Sequence, residues 1–397
     1  MNPDLQRLQP YPFQKLAKLL GEVTPNAALK PISLHIGEPK HATPQFIKDA
    51  LVAGMDGLAN YPTTIGSDAL RAAIANWLAQ RYSIPAPDAK TQILPVNGSR
   101  EALFSFAQAV IDRSKPEPAV ICPNPFYQIY EGAAFLAGAT PHFLNTLPED
   151  NFAMTPAQLP ESVWQRTQLI YVCSPGNPNG HVMPLSEWKQ LFEMSDRYGF
   201  IIAADECYSE IYFGESKPLG ALEAARQLGR EDYKNLVVFS SLSKRSNVPG
   251  MRSGFVAGDA KVLEKFALYR TYHGCAMNPA IQSASIAAWN DEAHVVANRH
   301  LYAEKFAKTI TLLAPALPVS KPDAGFYFWV RTPILDTAFA QQLHRDYNVS
   351  VLPGSFLARE AHGINPGGNF IRLALVAGLD ETLEAARRIA EFTQKLN

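Results

Sequence analysis

The sequence predicts an α/β protein: a large domain built on a mostly parallel central sheet, followed by a smaller α+β domain. Three observations carry that prediction. The chain has 397 residues, enough for two or three domains of roughly 150 residues each. Between about residues 91 and 260, short β-branched runs alternate with stretches whose apolar residues recur at helical spacing. Beyond residue 285 the alternation stops, and a long helical pattern gives way to scattered strands.

Hydrophobic residues make up 47% and charged residues 18%, a balance that supplies a sizeable core and excludes a disordered chain. Lys and Arg number 36 against 37 acids, a formal charge of −1. No global field then draws the protein to nucleic acid or an anionic membrane, neither is an expected partner, and any anion must be bound locally. No apolar run approaches the ~18 residues of a spanning helix, and Asp4, Arg7, Lys15 and Lys18 stand where a signal peptide would need an apolar block. The expected location is cytoplasmic. Cys122, Cys173, Cys207 and Cys275 lie far apart, without the close pairs of zinc or redox motifs, and read as free thiols. HExxH, a Walker loop and GxGxxG are absent, so no metal is expected and a nicotinamide-dependent dehydrogenase loses its fingerprint.

Residues 1–35 form an arm in which Pro10, Pro12, Pro25 and Pro31 surround one amphipathic turn at 13–20. It is too short to fold alone and is expected to pack with the small domain. Residues 36–284 form the large domain, with strands expected at 92–96, 119–122, 169–173, 200–205, 236–239 and 254–257. Helical spacing at 99–112, 126–136 and 186–198 supplies crossovers, hence parallel strands, and ligands then belong at strand C-termini. Residues 285–397 form the small domain: one helix over 285–313, strands at 325–330, 350–352 and 370–375, then a closing helix. Asp380, Glu381 and Glu384 near that last helix's start and Arg387, Arg388 and Lys395 nearer its end suit its dipole.

Five segments carry chemistry. In Phe239-Ser-Ser-Leu-Ser-Lys244-Arg-Ser-Asn-Val-Pro-Gly250-Met-Arg252, a strand runs into a lysine flanked by Ser241, Ser243 and Arg252. A desolvated lysine there can attack a carbonyl and form a Schiff base, and the hydroxyls and arginine suit a phosphate dianion. The alternative is a solvated Lys244–Arg245 pair on a loop. In Ile201-Ile-Ala-Ala-Asp205-Glu206-Cys-Tyr208, a strand ends in acids; Asp205 either holds a buried cation, such as a protonated pyridine nitrogen, or caps the next helix. Tyr208 could donate to a phenolate oxygen of such a ring.

The third segment, Cys173-Ser-Pro-Gly176-Asn177-Pro178-Asn179-Gly180, offers a rigid Asn177 amide, or is a purely structural turn. In Asn97-Gly98-Ser99-Arg100 a glycine opens a helix whose first N–H groups form an anion site, although many such turns bind nothing. Finally, Asn369-Phe-Ile-Arg372-Leu-Ala-Leu375 sets an arginine in an apolar strand, either for a ligand carboxylate or for an internal salt bridge.

Together with Ile36-Gly37-Glu38-Pro39, Tyr61-Pro-x-x-x-Gly66-x-x-x-Leu70-Arg71 and Asn124-Pro-Phe-Tyr127-Gln-x-Tyr130, these segments resemble the fold-type I, class I/II aminotransferases that use pyridoxal 5′-phosphate. The resemblance covers nearly the whole chain in the family's order. It implies that Lys244 holds the cofactor and shuttles a proton between Cα and C4′, that Asp205 pairs with the ring nitrogen, and that Tyr208 and Asn177 contact the ring oxygen. Tyr127 would stack on the ring. Ser99, Arg100, Ser241, Ser243 and Arg252 would surround the phosphate, with Tyr61 reaching in from a second subunit of a homodimer with shared active sites. Arg372 would clamp the substrate α-carboxylate beside Asn177, and Gly37 would line a mobile mouth. The substrates would be amino acids and 2-oxo acids.

Residues 1–13, 37–41 and 242–250 further resemble the N-succinyldiaminopimelate aminotransferase branch. That branch exchanges an amino group between N-succinyl-LL-2,6-diaminopimelate and 2-oxoglutarate in lysine and diaminopimelate biosynthesis. Lys40 and His41 are then expected to read the distal succinyl carboxylate, or to be a solvated lysine and a capping neighbour. The competing assignments are aminotransferases for aspartate, alanine, aromatic residues or kynurenine, a lyase using the same cofactor, and a non-catalytic effector module of the same fold.

Overall fold

The computed structural model describes residues 1–396. The chain opens with a 3-10 turn (Pro3–Arg7) and helix α1 (Pro12–Leu20), then strand β1 (Ile32–Ser33), α2 (Gln45–Ala53) and α3 (Asp68–Tyr82). The large sheet uses β2 (Ile93–Val96), β3 (Ala119–Asn124), β4 (Thr140–Asn145), β5 (Thr167–Cys173), β6 (Ile201–Asp205), β7 (Leu236–Ser241) and β8 (Gly254–Gly258). Interleaved are α4 (Ser99–Val110), α5 (Ile129–Leu136), α6 (Glu161–Trp164), α7 (Leu185–Tyr198), α8 (Ala221–Gln227) and α9 (Leu242–Arg245). Next come α10 (Ala260–His273), α11 (Pro279–Trp289), α12 (Ala293–Leu313), β9 (Tyr327–Arg331), α13 (Asp336–Tyr347), β10 (Val349–Ser350), β11 (Leu352–Pro353), β12 (Phe370–Ala374) and α14 (Leu379–Gln394).

Strand order in the large sheet is β2-β8-β7-β6-β5-β3-β4. The run from β7 to β4 is parallel, and β8 lies antiparallel between β7 and β2. Nearly every sheet residue is buried because helices cover both faces. Alternation sends Ile202, Ala204 and Val238 toward α3, α7, α8 and α11, and Ala203, Val237 and Phe239 toward α4, α5 and α10. The parallel run aims its C-termini at one edge, where the chemistry-bearing segments begin.

Several departures from expectation have local causes. β4 escapes sequence reading because its first half, Thr140-Pro-His142, is a half-exposed edge that tolerates a proline. The helix expected over 285–313 is two helices: α11 ends at Trp289, and Asp291 Oδ1 accepts the His294 N–H (3.0 Å) to start α12. Ala284, Ala288 and Trp289 pack in the large core, so the small unit begins at α12. The arm touches both units: α1 packs on α13 and β11, while the opening turn rests on α5, with Arg7 4.2 Å from the Phe135 ring centroid.

The small domain pairs β11-β12-β9 antiparallel and covers them with α12, α13 and α14. β1 pairs parallel with β10, so the chain entering the large domain is stitched to the small one.

Phe239 is fully buried in β7 and meets Phe106 of α4 edge-to-face, with centroids 5.3 Å apart. Phe239→Ala is expected to lower stability by about 3–5 kcal/mol in urea unfolding, because the sheet and helix on either side cannot close the hole.

Candidate active site

The site stands where β5, β6 and β7 end. β6 lies between the other two, so Asp205, its last residue, is in register with Cys173 on one side and Phe239 on the other. β7 runs into α9, a single turn whose start is capped by Ser241: its Oγ accepts the Ser243 N–H at 3.0 Å. That turn lifts Lys244 over the strand ends. Across the cavity α4 begins at Ser99 with no side-chain cap, leaving its first N–H groups for an anion. Gly98 has φ +91°, and a Cβ there would run into the Arg252 guanidinium. Only glycine satisfies both demands.

These elements enclose a cavity of ≈ 740 Å³. It brings together Lys244, Asp205, Tyr208, Asn177, Tyr127, Ser99, Arg100, Ser241, Ser243, Arg252, Gly37 and Arg372. Tyr61 is the exception: it is fully exposed and lines no part of this cavity in its own chain.

Burial lowers the Lys244 pKa, the nearby Cys207 and Asp205 oppose that shift, and Arg252 adds to it. No acid among the described residues pairs with the Lys244 amine. Asp205 is buried; its Oδ2 accepts from Tyr130 Oη (2.8 Å) and its Oδ1 from the Cys207 N–H (3.2 Å), so it closes a turn rather than capping a helix. Burial raises its pKa despite those hydrogen bonds, so a cationic ligand group beside it would be favoured.

Arg372 is 4% exposed. Its Nη1 donates to Asn177 Oδ1 (3.0 Å) and its Nη2 to the His35 carbonyl (2.9 Å), while Nε has no partner. His35 adds no charge, since burial and Arg372 itself push its pKa down to about 4. No carboxylate among the described residues pairs with Arg372, so the internal salt bridge is absent and the guanidinium faces the cavity uncompensated.

At the opposite end, Ser241 Oγ lies 2.8 Å from Ser243 Oγ, Ser99 Oγ accepts from Cys207 Sγ (3.0 Å), and Arg252 pairs with Glu101 (2.6 Å). Hydroxyls, a guanidinium and an uncapped helix start make an anion cradle. Arg100 has no acid partner among the described residues; its guanidinium lies 5.5 Å from the Tyr11 ring centroid.

Sequence reading missed several residues. Tyr327 of β9 meets Tyr208, their hydroxyls 2.9 Å apart, and its ring lies 4.4 Å from the Arg372 guanidinium. Gly37 is required there, because a Cβ would collide with the Tyr327 hydroxyl. Tyr130, inside a quoted motif, holds Asp205. Tyr11, Phe13 and Gln14 of the arm line the mouth. No periodicity signals these contacts, which depend on how the domains meet.

One expectation is overturned. Lys40 is exposed, but His41 lies outside the cavity, bonded through Nδ1 to Asn298 Oδ1 (2.7 Å) and through Nε2 to Lys305 Nζ (2.6 Å). Burial and the Lys305 charge lower the His41 pKa. The imidazole is neutral, so the two residues form no cationic pair for a distal carboxylate.

The fold and site together define a cofactor-binding α/β enzyme with sites for two anionic groups. The family model for class I and II aminotransferases matches residues 30–389. The chain is 30% identical to the LL-diaminopimelate aminotransferase of Aquifex aeolicus over 391 residues, 97% of both proteins. An aminotransferase structure from Neisseria meningitidis superposes with a TM-score of 0.97 at 52% identity, over 99% of this chain and all of that one. The aminotransferase AspB of Helicobacter pylori follows with 0.90 at 35%, over 98% and 99%. The chain belongs to the class I and II aminotransferases. It is accordingly a pyridoxal 5′-phosphate-dependent enzyme acting on amino acids and 2-oxo acids, and the cavity's amine, acid and anion cradle fit that cofactor. Among the described residues no helix is long and apolar enough to cross a membrane.

Beside Asp205, Glu206 is buried too, accepting from Tyr82 Oη (2.8 Å) and the Ala221 N–H (2.6 Å). Burial pushes its carboxyl up to about 7. The unfolded chain releases this proton at lower pH than the native state does, so the native state is progressively disfavoured as pH rises through that window. Urea unfolding of the apoprotein is expected to show stability falling between about pH 5 and pH 8, with Glu206→Gln flattening the fall.

Proposed function

We propose that this enzyme transfers an amino group between N-succinyl-LL-2,6-diaminopimelate and 2-oxoglutarate, giving N-succinyl-2-amino-6-oxopimelate and glutamate. It does so in the cytoplasm, in diaminopimelate and lysine biosynthesis. The observation that carries the amino-acid chemistry is the buried Arg372 fork, without a counter-ion among the described residues, facing the same cavity as Lys244. The succinylated substrate is supported by the branch resemblance of residues 1–13, 37–41 and 242–250. A second reading, direct use of LL-diaminopimelate, is favoured by the name of the Aquifex relative.

Bound here, pyridoxal phosphate supplies an electron sink that acidifies the substrate Cα–H. Lys244 would hold the cofactor and would move the proton at the substrate Cα, a task its lowered pKa favours. Asp205 would keep the ring nitrogen protonated, with Tyr130 holding the carboxylate in line. Tyr208 and Asn177 would donate to the ring oxygen, and Tyr127 would stack on the ring. Ser99, Arg100, Ser241, Ser243 and Arg252 would hold the phosphate, with Arg252 released from Glu101 to do so. Arg372 grips the α-carboxylate bidentately and so orients Cα–H toward Lys244. Gly37 lines the entrance, on a segment that moves with the small domain. The active form is a homodimer: Tyr61 belongs to an exposed apolar band with Val52, Met55, Leu58 and Ile65 and reaches the partner's phosphate site.

Protein loaded with the cofactor is expected to absorb in the visible and to bleach on adding glutamate. Lys244→Ala is expected to lose turnover by more than about a thousandfold in the same assay. With 2-oxoglutarate as acceptor, kcat/KM for N-succinyl-LL-2,6-diaminopimelate is expected to exceed that for aspartate, alanine, phenylalanine, kynurenine and LL-diaminopimelate by at least about tenfold. Preference for LL-diaminopimelate selects the second reading. Arg372→Lys keeps the charge but loses the fork, and is expected to raise KM for the amino donor by about 10- to 100-fold with a smaller change in kcat.

A further inference from the structure

The turn that carries Lys244 is held from behind by a polar chain that the reaction itself does not use. Asn298 of α12, 5% exposed, points its Nδ2 at the Lys244 main-chain carbonyl, 3.5 Å away. Its Oδ1 accepts from Asn247 Nδ2 (3.0 Å) and faces His41 Nδ1 (2.7 Å). The other His41 nitrogen, Nε2, is 2.6 Å from Lys305 Nζ, which also donates to the Leu375 carbonyl (3.2 Å) just past β12. Lys305 is 3% exposed and no acid among the described residues pairs with it; its charged neighbours are Glu381 and Lys40, and the Tyr302 ring centroid lies 5.1 Å away.

Chemistry gives this chain one direction. An ammonium donates and cannot accept, and Lys305 remains protonated at neutral pH because burial pulls its pKa down only to about 8. His41 Nε2 therefore accepts, and the single proton of the neutral imidazole sits on Nδ1. That proton goes to Asn298 Oδ1, which fixes which end of the amide is oxygen. The amide nitrogen is left facing the Lys244 carbonyl. The direct contact at 3.5 Å is weak, and the shorter route runs through Asn247, whose carbonyl also accepts from Thr43 Oγ1 (2.8 Å).

The chain joins three parts of the fold. His41 and Thr43 sit on the strap that carries Gly37, Lys305 and Asn298 belong to the small domain, and Lys244 to Asn247 form the turn on the large one. A pillar needed for stability alone would cost less if apolar, since a buried lysine without a counter-ion is expensive to desolvate.

We propose that Lys305, His41 and Asn298 are positioning residues: they orient the Lys244 turn and tie its aim to the strap and small domain. The proposal rests on Lys244 being the residue that carries the cofactor. The effect is on the environment of the cofactor-bearing amine, so it is legible before any substrate is added.

The test compares loaded enzyme in the wild type, His41→Phe, His41→Gln, Lys305→Met and Asn298→Ala. For each, the pH midpoint of the visible cofactor absorbance, the thermal midpoint, kcat and KM are measured. His41→Phe, Lys305→Met and Asn298→Ala are expected to shift the absorbance midpoint by at least about half a pH unit. They are also expected to lower kcat about tenfold while KM for the amino donor stays within about threefold. A glutamine can accept from Lys305 and donate to Asn298, so His41→Gln is expected to keep the midpoint within about 0.2 unit of wild type. If Lys305→Met fails to fold, the His41→Phe and His41→Gln contrast decides alone. Midpoints that stay at the wild-type value in every variant, even with lower thermal midpoints, overturn the proposal. Lys244→Ala separates the two levels: a visible band that titrates unchanged without Lys244 refutes the cofactor-bearing role itself, whereas a band that depends on Lys244 but ignores the relay refutes only the relay.

Discussion

Lys244, Asp205 and Arg372 surround one cavity without an ion-pair partner among the described residues. Desolvating a charge without compensation opposes folding, and such a group is stable only where neighbours forbid it from moving to water or to an acid. Asp205 and Arg372 are pinned by neutral partners instead. Asp205 takes a tyrosine hydroxyl and a main-chain N–H, and Arg372 takes an amide oxygen and a carbonyl. These hydrogen bonds orient the groups but leave their charges for a ligand. The cavity thus combines a buried carboxylate, a guanidinium without an acid partner among the described residues and an anion cradle.

The large sheet offsets that cost. Its strands are buried on both faces, and two apolar layers close over them: α3, α7, α8 and α11 on one side, α4, α5 and α10 on the other. Because β5, β6 and β7 are parallel neighbours, their last residues are held at a fixed spacing by the ladder, and Asp205 cannot shift without breaking it. The polar groups stand just beyond that ladder, on turns that begin where hydrogen bonding between strands stops.

The small domain contributes Arg372 and Tyr327, so the site is complete only when the two units sit correctly. Their junction is polar and specific. Glu210 pairs with Arg81 of α3 and with Arg299 of α12 (3.4 Å), and the Arg299 guanidinium lies 3.8 Å from the Tyr212 ring centroid. The β1–β10 pairing adds a main-chain tie.

Alternating periodicity made the α/β class readable, and the segments at the ends of strands 92–96, 200–205 and 236–239 offered the anion cradle, the acid and the amine as candidates, because a strand's end and the residues after it are local facts. Arg372 was readable as a charge misplaced in an apolar strand, but not its lack of a partner. That β4 is a strand, that the helix expected over 285–313 breaks at Asp291, and that the arm bridges both domains needed packing to decide, since an edge, a cap and a docking surface depend on what lies opposite. Tyr327 over Gly37, Tyr130 on Asp205 and the tie from Lys305 through His41 to Asn298 join residues far apart in the chain. Sequence alone therefore determined which chemistry-bearing residue types stand at the strand ends. Only the tertiary structure decided which of them are left uncharged, unpaired or already engaged, because those states are set by burial and by neighbours that chain order does not reveal.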